Sequence, residues 1–189
     1  MTPLERPQSA AEARAEAEAR HAEQRAERRA AFDAAYGPTA PGRPVVVVSW
    51  VITAAFALAA AAALLWPERF DAAFLILSLV LFAAGCALFL VDLVLAANRS
   101  RSDEMGIGGL FFLADAAPRP VQLSLNASLA VSLLVSVSAA VIGLSTPELA
   151  FGTLVPTLQL SLSGLWGVRH GLFPERNHEA DGHRGSASR

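Results

Sequence analysis

The chain has 189 residues, of which 53% are hydrophobic, and its formal net charge is −2. The apolar residues are concentrated in two long blocks with very few charges, and polar segments flank these blocks, so an ordinary soluble domain is excluded. All fifteen basic residues are arginines, set against seventeen acids, and those of the first tail are matched by Glu and Asp, which leaves no basic patch for nucleic-acid binding.

The first segment, residues 1–44, is a polar tail that is rich in Ala, Glu and Arg. Ser9 followed by Glu12 matches a helix capping box, and the Gly-Pro pair at 37–38 is a stop signal, with strong helix formers between them. Apart from alanine, the interval contains only one phenylalanine and one tyrosine as apolar side chains. It therefore predicts a soluble, solvated helix; a partner-binding arm is the functional alternative.

The rest of the chain contains four apolar segments that are long enough to cross a hydrocarbon core of roughly 30 Å at about 1.5 Å per residue. They lie at residues 45–66, 70–97, 121–144 and 147–171. Short turns with a Pro-Glu pair join the first segment to the second and the third to the fourth. The sequence thus predicts an all-α membrane protein with four transmembrane helices arranged as two hairpins, followed by a disordered tail at 172–189.

The fourth segment carries local signals for its start and for a kink. Thr146 as N-cap, Pro147 at the first helical position and Glu148 in the first turn predict a helix start. Pro156 lies inside the segment and removes one backbone donor, so a kink is expected near Gly152.

The distribution of arginine predicts how the chain is oriented. Four spans place both tails and the connector, residues 98–120, on one side, and fourteen of the fifteen arginines lie there, with Arg69 alone on the other. By the positive-inside rule the expected location is the plasma membrane, multi-pass, with both termini in the cytoplasm.

The connector mixes charges with a Gly-Ile-Gly-Gly run and a Leu-Phe-Phe-Leu run. It is too short and too rich in glycine for a fifth span, so a short interfacial or re-entrant element is expected. A nucleotide-binding loop is disfavoured because the Lys and Ser/Thr of a P-loop are missing. We expect the connector to be an interaction surface for a partner. Its predicted residues are Gly106, Gly108, Gly109, Phe111 and Phe112.

Asp92 is the ionisable residue that lies well within a span. Asn126 and Arg169 are expected at a similar depth, which predicts a polar cluster of these three side chains. Carboxylates in lipid are costly and tend to face a bundle interior or water. Two interpretations remain open: an interfacial carboxyl that ties helix ends together, and a proton, cation or headgroup site.

Small and polar residues recur at four-residue spacing in the third and fourth segments. Such stripes typically let helices approach closely, so we expect the third segment to pack against the fourth; a pore lining is the alternative. The residues are Ser124, Ser128, Ser132 and Ser136 in the third segment, and Gln159, Ser163 and Gly167 in the fourth. Ser78, Gly85 and Asp92, seven residues apart, mark a similar face of the second segment. Trp50, Trp66 and Trp166 are interpreted as anchors at headgroup depth.

Residue patterns typical of catalysis or metal binding are missing from the sequence. No Ser-His-Asp, Cys-His, paired-carboxylate or HExxH arrangement occurs, and the spacing of His170, His178 and His183 fits no metal frame. The lone Cys86 is interpreted as a packing residue. We therefore expect a non-enzymatic protein without a cofactor or metal.

Two stretches, RSRSDEMGIGGLFFLADAAP and LAFGTLVPTLQLSLSGLWGVRHGLFPER, resemble a group of small, functionally uncharacterised four-span membrane proteins of actinobacteria. The resemblance covers residues 45–176 and implies a plasma-membrane location without a known activity.

The sequence favours an accessory or scaffold subunit that recruits a partner through the connector and the N-terminal arm. The alternative is a small oligomeric transporter or channel that uses Asp92 as a proton or cation site. The expected partners are the lipid bilayer, a protein at the cytoplasmic face, and a second copy of the chain.

Overall fold

A computed structural model of the protein describes residues 10–37, 40–103 and 105–174. These residues form helices and connecting segments without a β-strand, which confirms the predicted all-α class. The chain divides into two compact units, Met1–Thr39 and Ala40–Arg189. The predicted disordered tail lies outside the described residues from position 175 onward.

The first unit contains one helix, α1 (Ala10–Tyr36). It ends where predicted, at Gly37, whose φ of 62° is the left-handed conformation that glycine adopts without steric cost. The Gly37 amide donates to Asp33 O at 2.9 Å. Ser9, the predicted cap, lies outside the described part of the chain.

The second unit contains the four predicted spans. They are α2 (Arg43–Leu65), α3 (Pro67–Arg99), α5 (Arg119–Ile142), and a fourth span that consists of a 3₁₀ helix (Pro147–Leu154) followed by α6 (Pro156–His170). A short helix, α4 (Ile107–Phe111), lies in the connector. All four spans are long and apolar enough to cross a membrane, which confirms the four-span prediction.

The first hairpin is tighter than the sequence suggested. Pro67 is the first residue of α3 and not part of a separate turn, so Trp66 alone separates α2 from α3. Proline suits this position because the first amide of a helix has no intrahelical partner to lose. At 33 residues and about 1.5 Å per residue, α3 is also longer than the hydrocarbon core, so it extends beyond it.

Pro156 breaks the fourth span instead of kinking a continuous helix. It is the first residue of α6, and the chain before it is a 3₁₀ helix. The predicted helix start is confirmed, with Thr146 at the N-cap position, Pro147 as the first helical residue and Glu148 in the first turn, but Thr146 makes no side-chain cap bond. At Gly152 a side-chain carbon would lie 2.8 Å from the Phe74 ring, so this glycine lets the 3₁₀ helix approach the stacked pair Phe56 and Phe74, whose centroids are 5.6 Å apart.

The fourth span is the most enclosed of the four. It contacts α2, α3 and α5. Of its most apolar stretch of 18 residues, 56% is buried, against 17% for the corresponding stretch of α3. It is also the least apolar span. The most polar span is therefore the most buried one, and the more apolar spans are more exposed at the surface of the bundle, as expected when lipid is the solvent.

The predicted packing face of α3 is confirmed. Ser78, Gly85 and Asp92 are all buried. A side-chain carbon at Gly85 would lie 2.8 Å from Leu158 N, and Ser161 Oγ donates to Gly85 O at 2.9 Å. The glycine thus permits a close backbone contact between α3 and α6.

Candidate functional site

A network of buried polar side chains joins three spans at the centre of the bundle. Gln159 on α6 is its hub: Oε1 accepts from Ser49 Oγ at 2.6 Å, and Nε2 donates to Ser49 O at 3.1 Å and to Thr53 Oγ1 at 2.9 Å. The same two hydroxyl groups of α2 also contact α5: Ser49 Oγ lies 2.5 Å from Ser128 Oγ, and Thr53 Oγ1 lies 3.2 Å from Ser132 Oγ. All five residues are buried.

One set of hydroxyl protons satisfies the whole network. Ser49 donates to the Gln159 carbonyl, so Ser128 is the donor in its pair with Ser49 and shares its one proton between Ser49 Oγ and Leu125 O, which lies at 2.8 Å. Both amide hydrogens of Gln159 are used on α2. Ser132 donates to Thr53, and Thr53 donates to Ser49 O at 2.9 Å. Because its polar atoms are paired within the protein, this network holds helices together.

The hydroxyl groups of the α5 serine stripe bond to α2 rather than to the fourth span. Ser128 and Ser132 pair with α2, and Ser124 Oγ accepts from Trp50 Nε1 at 2.9 Å. The third span does pack against the fourth, as predicted, through both the 3₁₀ helix and α6, but the hydrogen bonds of the stripe join the first and third spans, and α6 adds Gln159 to them.

The remaining stripe residues play smaller parts. Ser136 Oγ donates within its own helix to Ser132 O at 2.6 Å, and Ser163 Oγ donates to Gln159 O at 3.2 Å. Gly167 allows the connector to approach, because a side-chain carbon there would lie 2.5 Å from Leu110 O. Its role is therefore close packing against the connector.

The connector is docked onto the end of α6. Leu110, Phe111 and Leu113 are at most 6% exposed, and Leu172 N donates to Ala116 O at 2.9 Å. The Phe111 ring stacks on Phe89 of α3 with centroids 5.1 Å apart. The connector therefore closes this end of the bundle.

The predicted interaction surface needs correction at Phe111. This side chain is buried because it fills the space between α3 and α6, so it is not available to a partner. Gly109 lies beneath Phe173, whose ring would be 3.0 Å from a side-chain carbon there. Gly106 and Gly108 are exposed, and the large apolar side chains of the connector that are exposed are Phe112 at 48% and Ile107 at 76%.

Arg99 fastens the end of α3 to the end of α6. Its guanidinium donates to Asp103 Oδ2 at 2.6 Å, to Val168 O at 2.7 Å and to Gly171 O at 2.7 Å, and it lies 5.2 Å from the centroid of the Phe173 ring. Two of the acceptors are at the C-terminal end of α6, where carbonyls lack intrahelical donors and the helix dipole favours a cation. Arg99 is therefore a structural clamp.

Trp166 is not a headgroup anchor. It is fully buried among connector residues and the start of α2 and α5, and its Nε1 donates to Pro41 O at 3.0 Å. Gly42, with φ of 74°, has no room for a side chain against this indole. Trp50 and Trp66 are exposed. Trp66 lies at the end of α2, where an anchor is expected, whereas Trp50 lies two turns inside α2 and donates its Nε1 to Ser124 Oγ.

Asp92 is the ionisable member of a small set of side chains that, in the described part of the chain, have buried polar atoms without a hydrogen-bond partner; the others are Ser78 Oγ and Asn126 Oδ1. It is 0% exposed, and neither carboxyl oxygen has a hydrogen-bond partner. A side-chain carbon at Gly164 would lie 2.8 Å from Asp92 Oδ2 and 2.8 Å from the Phe111 ring. The carboxyl thus occupies a notch that only glycine leaves open, beneath the connector.

The other two residues of the predicted polar cluster do not pair with Asp92. Asn126 Nδ2 donates instead to Phe112 O at 3.3 Å. Arg169 is exposed, and it interacts with Asp92 electrostatically without a hydrogen bond or close ion pair. The fold places Asn126 against the connector, so the three side chains form no hydrogen-bonded cluster among the described residues.

Sequence reasoning missed Ser49 and Thr53, the α2 half of the central network. The signal was present, because two hydroxyl residues four apart inside an otherwise apolar span share one helix face. It also missed that α4 brings Phe111 over Asp92. The residues in that contact are far apart in the sequence, so no local sequence pattern predicts it.

Comparison with known proteins adds no identity. The chain matches no protein-family model, no curated protein and no solved structure.

Proposed function

We propose that the protein is a non-enzymatic subunit of the plasma membrane that recruits a partner in the cytoplasm. The observation that carries the proposal is the exposed apolar pair of the connector, Ile107 and Phe112, at 76% and 48%. Both are on or beside α4, which the buried side chains of Leu110 and Phe111 fix to the bundle. An apolar pair in a fixed position favours specific docking, because less conformational freedom is lost on binding.

The charge distribution supports a cytoplasmic location for this surface. Each span has an arginine at or near its connector end. The opposite turns carry three acids and one arginine, namely Glu68, Arg69, Asp71 and Glu148. This asymmetry favours the connector and both termini inside the cell.

Helix α1 supplies a second, separate surface. The side chains that the structure describes along it are mostly exposed, and its charges of both signs keep it solvated. Such a helix has little apolar surface to bury on its own, so it suits an arm that binds a partner.

The test is an affinity pull-down in mild detergent of the intact chain, of a variant with Ile107→Ser and Phe112→Ser, and of a chain that lacks residues 1–39. Leu144→Ser is the matched control, because Leu144 is an 83% exposed apolar side chain in the turn before the fourth span, away from the connector. We expect a stoichiometric partner with the intact chain and the control, and its loss in at least one of the other two. Identical captured proteins in all four, or self-association alone, would contradict the scaffold function.

The orientation is tested by cysteine labelling after Cys86→Ser. We expect Ser145→Cys, in the turn before the fourth span, to react with a membrane-impermeant maleimide on intact cells. Gly106→Cys should react only after the membrane is opened. The reverse pattern would place the connector outside.

A proton- or cation-coupled transporter or channel is the second candidate function. It is favoured by the unpartnered carboxyl of Asp92, since buried carboxyls in spans commonly mark ion or proton paths. In reconstituted vesicles, Asp92→Asn should abolish a proton- or cation-dependent flux while partner capture is retained.

A further inference from the structure

We propose that Asp92 is a proton-binding site that Phe111 of the connector closes from the connector side. The proposal rests on the site of the second candidate function. It is separable from that function, because proton binding is measured without any flux.

The surroundings of the carboxyl select a proton as its ligand. A metal cation takes several oxygen ligands, whereas Gly164 and the aromatic ring of Phe111 adjoin Asp92. Neither carboxyl oxygen has a hydrogen-bond partner. An ionised carboxyl without a partner is costly away from water, and a proton neutralises it without any further ligand.

The charges around Asp92 leave it without a counter-ion in contact. Arg169 of α6 acts on it only electrostatically. On α3 itself, Arg99 is occupied by Asp103 and by two carbonyls of the chain at the end of α6. Helix α4 has no charged residue, and α2 has none beyond Arg43 at its start.

Phe111 is the closing element because its ring and Asp92 Oδ2 both lie 2.8 Å from the position of a side-chain carbon at Gly164. It is 6% exposed and stacks on Phe89, one turn before Asp92 on α3. Asp92 lies about 10 Å along α3 from Arg99, at about 1.5 Å per residue, so it is near the connector end of the bundle. A proton that arrives from that side must pass the docked connector.

Infrared difference spectroscopy of the full chain in lipid bilayers tests proton binding directly. We expect a carbonyl stretch of a protonated carboxyl in a pH series, and its loss in Asp92→Asn. Asp71→Asn, on the same helix at the opposite end, is the matched control and should keep the band. If no band at any pH is lost with Asp92→Asn, Asp92 binds no proton and the proposal is overturned.

Carbodiimide labelling tests the closure. A protonated carboxyl adds its O–H across one C=N bond of a carbodiimide, and the adduct rearranges to a stable N-acylurea without a leaving group. We expect a water-soluble carbodiimide to modify Asp92 slowly in the intact protein, as read by mass spectrometry of the peptide.

Phe111→Ala should raise this rate by more than about tenfold, because truncation of a buried phenylalanine weakens the packing that holds α4 in place. Phe151→Ala is the matched control, since Phe151 is 43% exposed and lies on the 3₁₀ helix, away from the connector, and should leave the rate near that of the intact protein. Equal rates in all three proteins would overturn the closure by Phe111. If the infrared band is present but Asp92→Asn leaves every measured flux unchanged, the proton site stands and the transport function fails.

Discussion

Gln159 and Asp92 are two buried polar side chains of the bundle that differ in how they are satisfied. At Gln159, both amide hydrogens and the carbonyl oxygen find partners on α2. At Asp92 on α3, which adjoins Gly164, five residues after Gln159 on α6, neither oxygen finds one. Both side chains are at most 1% exposed, so burial alone does not separate them.

The difference indicates which polar group stabilises the fold and which one serves another purpose. A satisfied buried network adds stability and fixes helix register. An unsatisfied buried carboxyl lowers stability, and such groups are kept where function requires them. The three predictions that follow test this distinction by free energy of unfolding in mixed micelles.

The largest expected effect is at Gln159. Gln159→Leu removes three side-chain hydrogen bonds to α2 and should lower the free energy of unfolding by about 2 kcal/mol, from roughly 0.6 kcal/mol for each bond in a membrane protein plus the unsatisfied Ser49 groups. Gln122→Leu is the control, because its amide makes one 3.3 Å bond to Phe112 O. If Gln159→Leu lowers the free energy of unfolding no more than Gln122→Leu does, the network does not stabilise the fold.

The second effect has the opposite sign. Asp92→Leu replaces an unsatisfied carboxyl by an apolar side chain of similar shape and should raise the free energy of unfolding by about 1 kcal/mol. Asp71→Leu, near the mouth of the same helix, should give no such gain. Destabilisation by Asp92→Leu would show that the carboxyl has a stabilising partner. Asp92 and Gln159 would then both stabilise the fold, and the distinction between them would be wrong.

The smallest effect separates hydroxyls that join helices from those that do not. Ser136→Ala loses only a bond within α5 and should change the free energy of unfolding by no more than about 0.3 kcal/mol. Ser128→Ala loses a bond to α2 and should cost about 0.6 kcal/mol. Equal costs would mean that the stripe acts through its small size rather than through its hydroxyl groups.

The positions of the spans could be predicted from the sequence because a backbone in lipid must satisfy its own hydrogen bonds. The predicted segments 45–66 and 121–144 correspond to α2 (Arg43–Leu65) and α5 (Arg119–Ile142). Hydropathy and length decide such segments locally. The end of α1 at Gly37 could also be predicted, since it depends on a single residue.

The partners of the candidate site could not be predicted. Phe111 was expected at a surface and lies in the core; Trp166 was expected at the headgroups and fills the centre of the connector end. Both are aromatic residues near a span end, and sequence does not distinguish one that faces lipid from one that faces another helix, because both surroundings are apolar.

The sequence by itself therefore determined where the four apolar segments long enough to cross a membrane lie, and that one carboxyl is placed inside one of them, but not that the fourth begins as a 3₁₀ helix. The tertiary structure alone decided that the serine stripe meets α2, that Gln159 completes that contact, and that Asp92 is left unpaired beneath Phe111. Lipid tails are as apolar as the side chains that face them, so hydrophobicity brings no particular pair of helices together. The choice among neighbours is made by close packing and by hydrogen bonds between residues far apart in the chain.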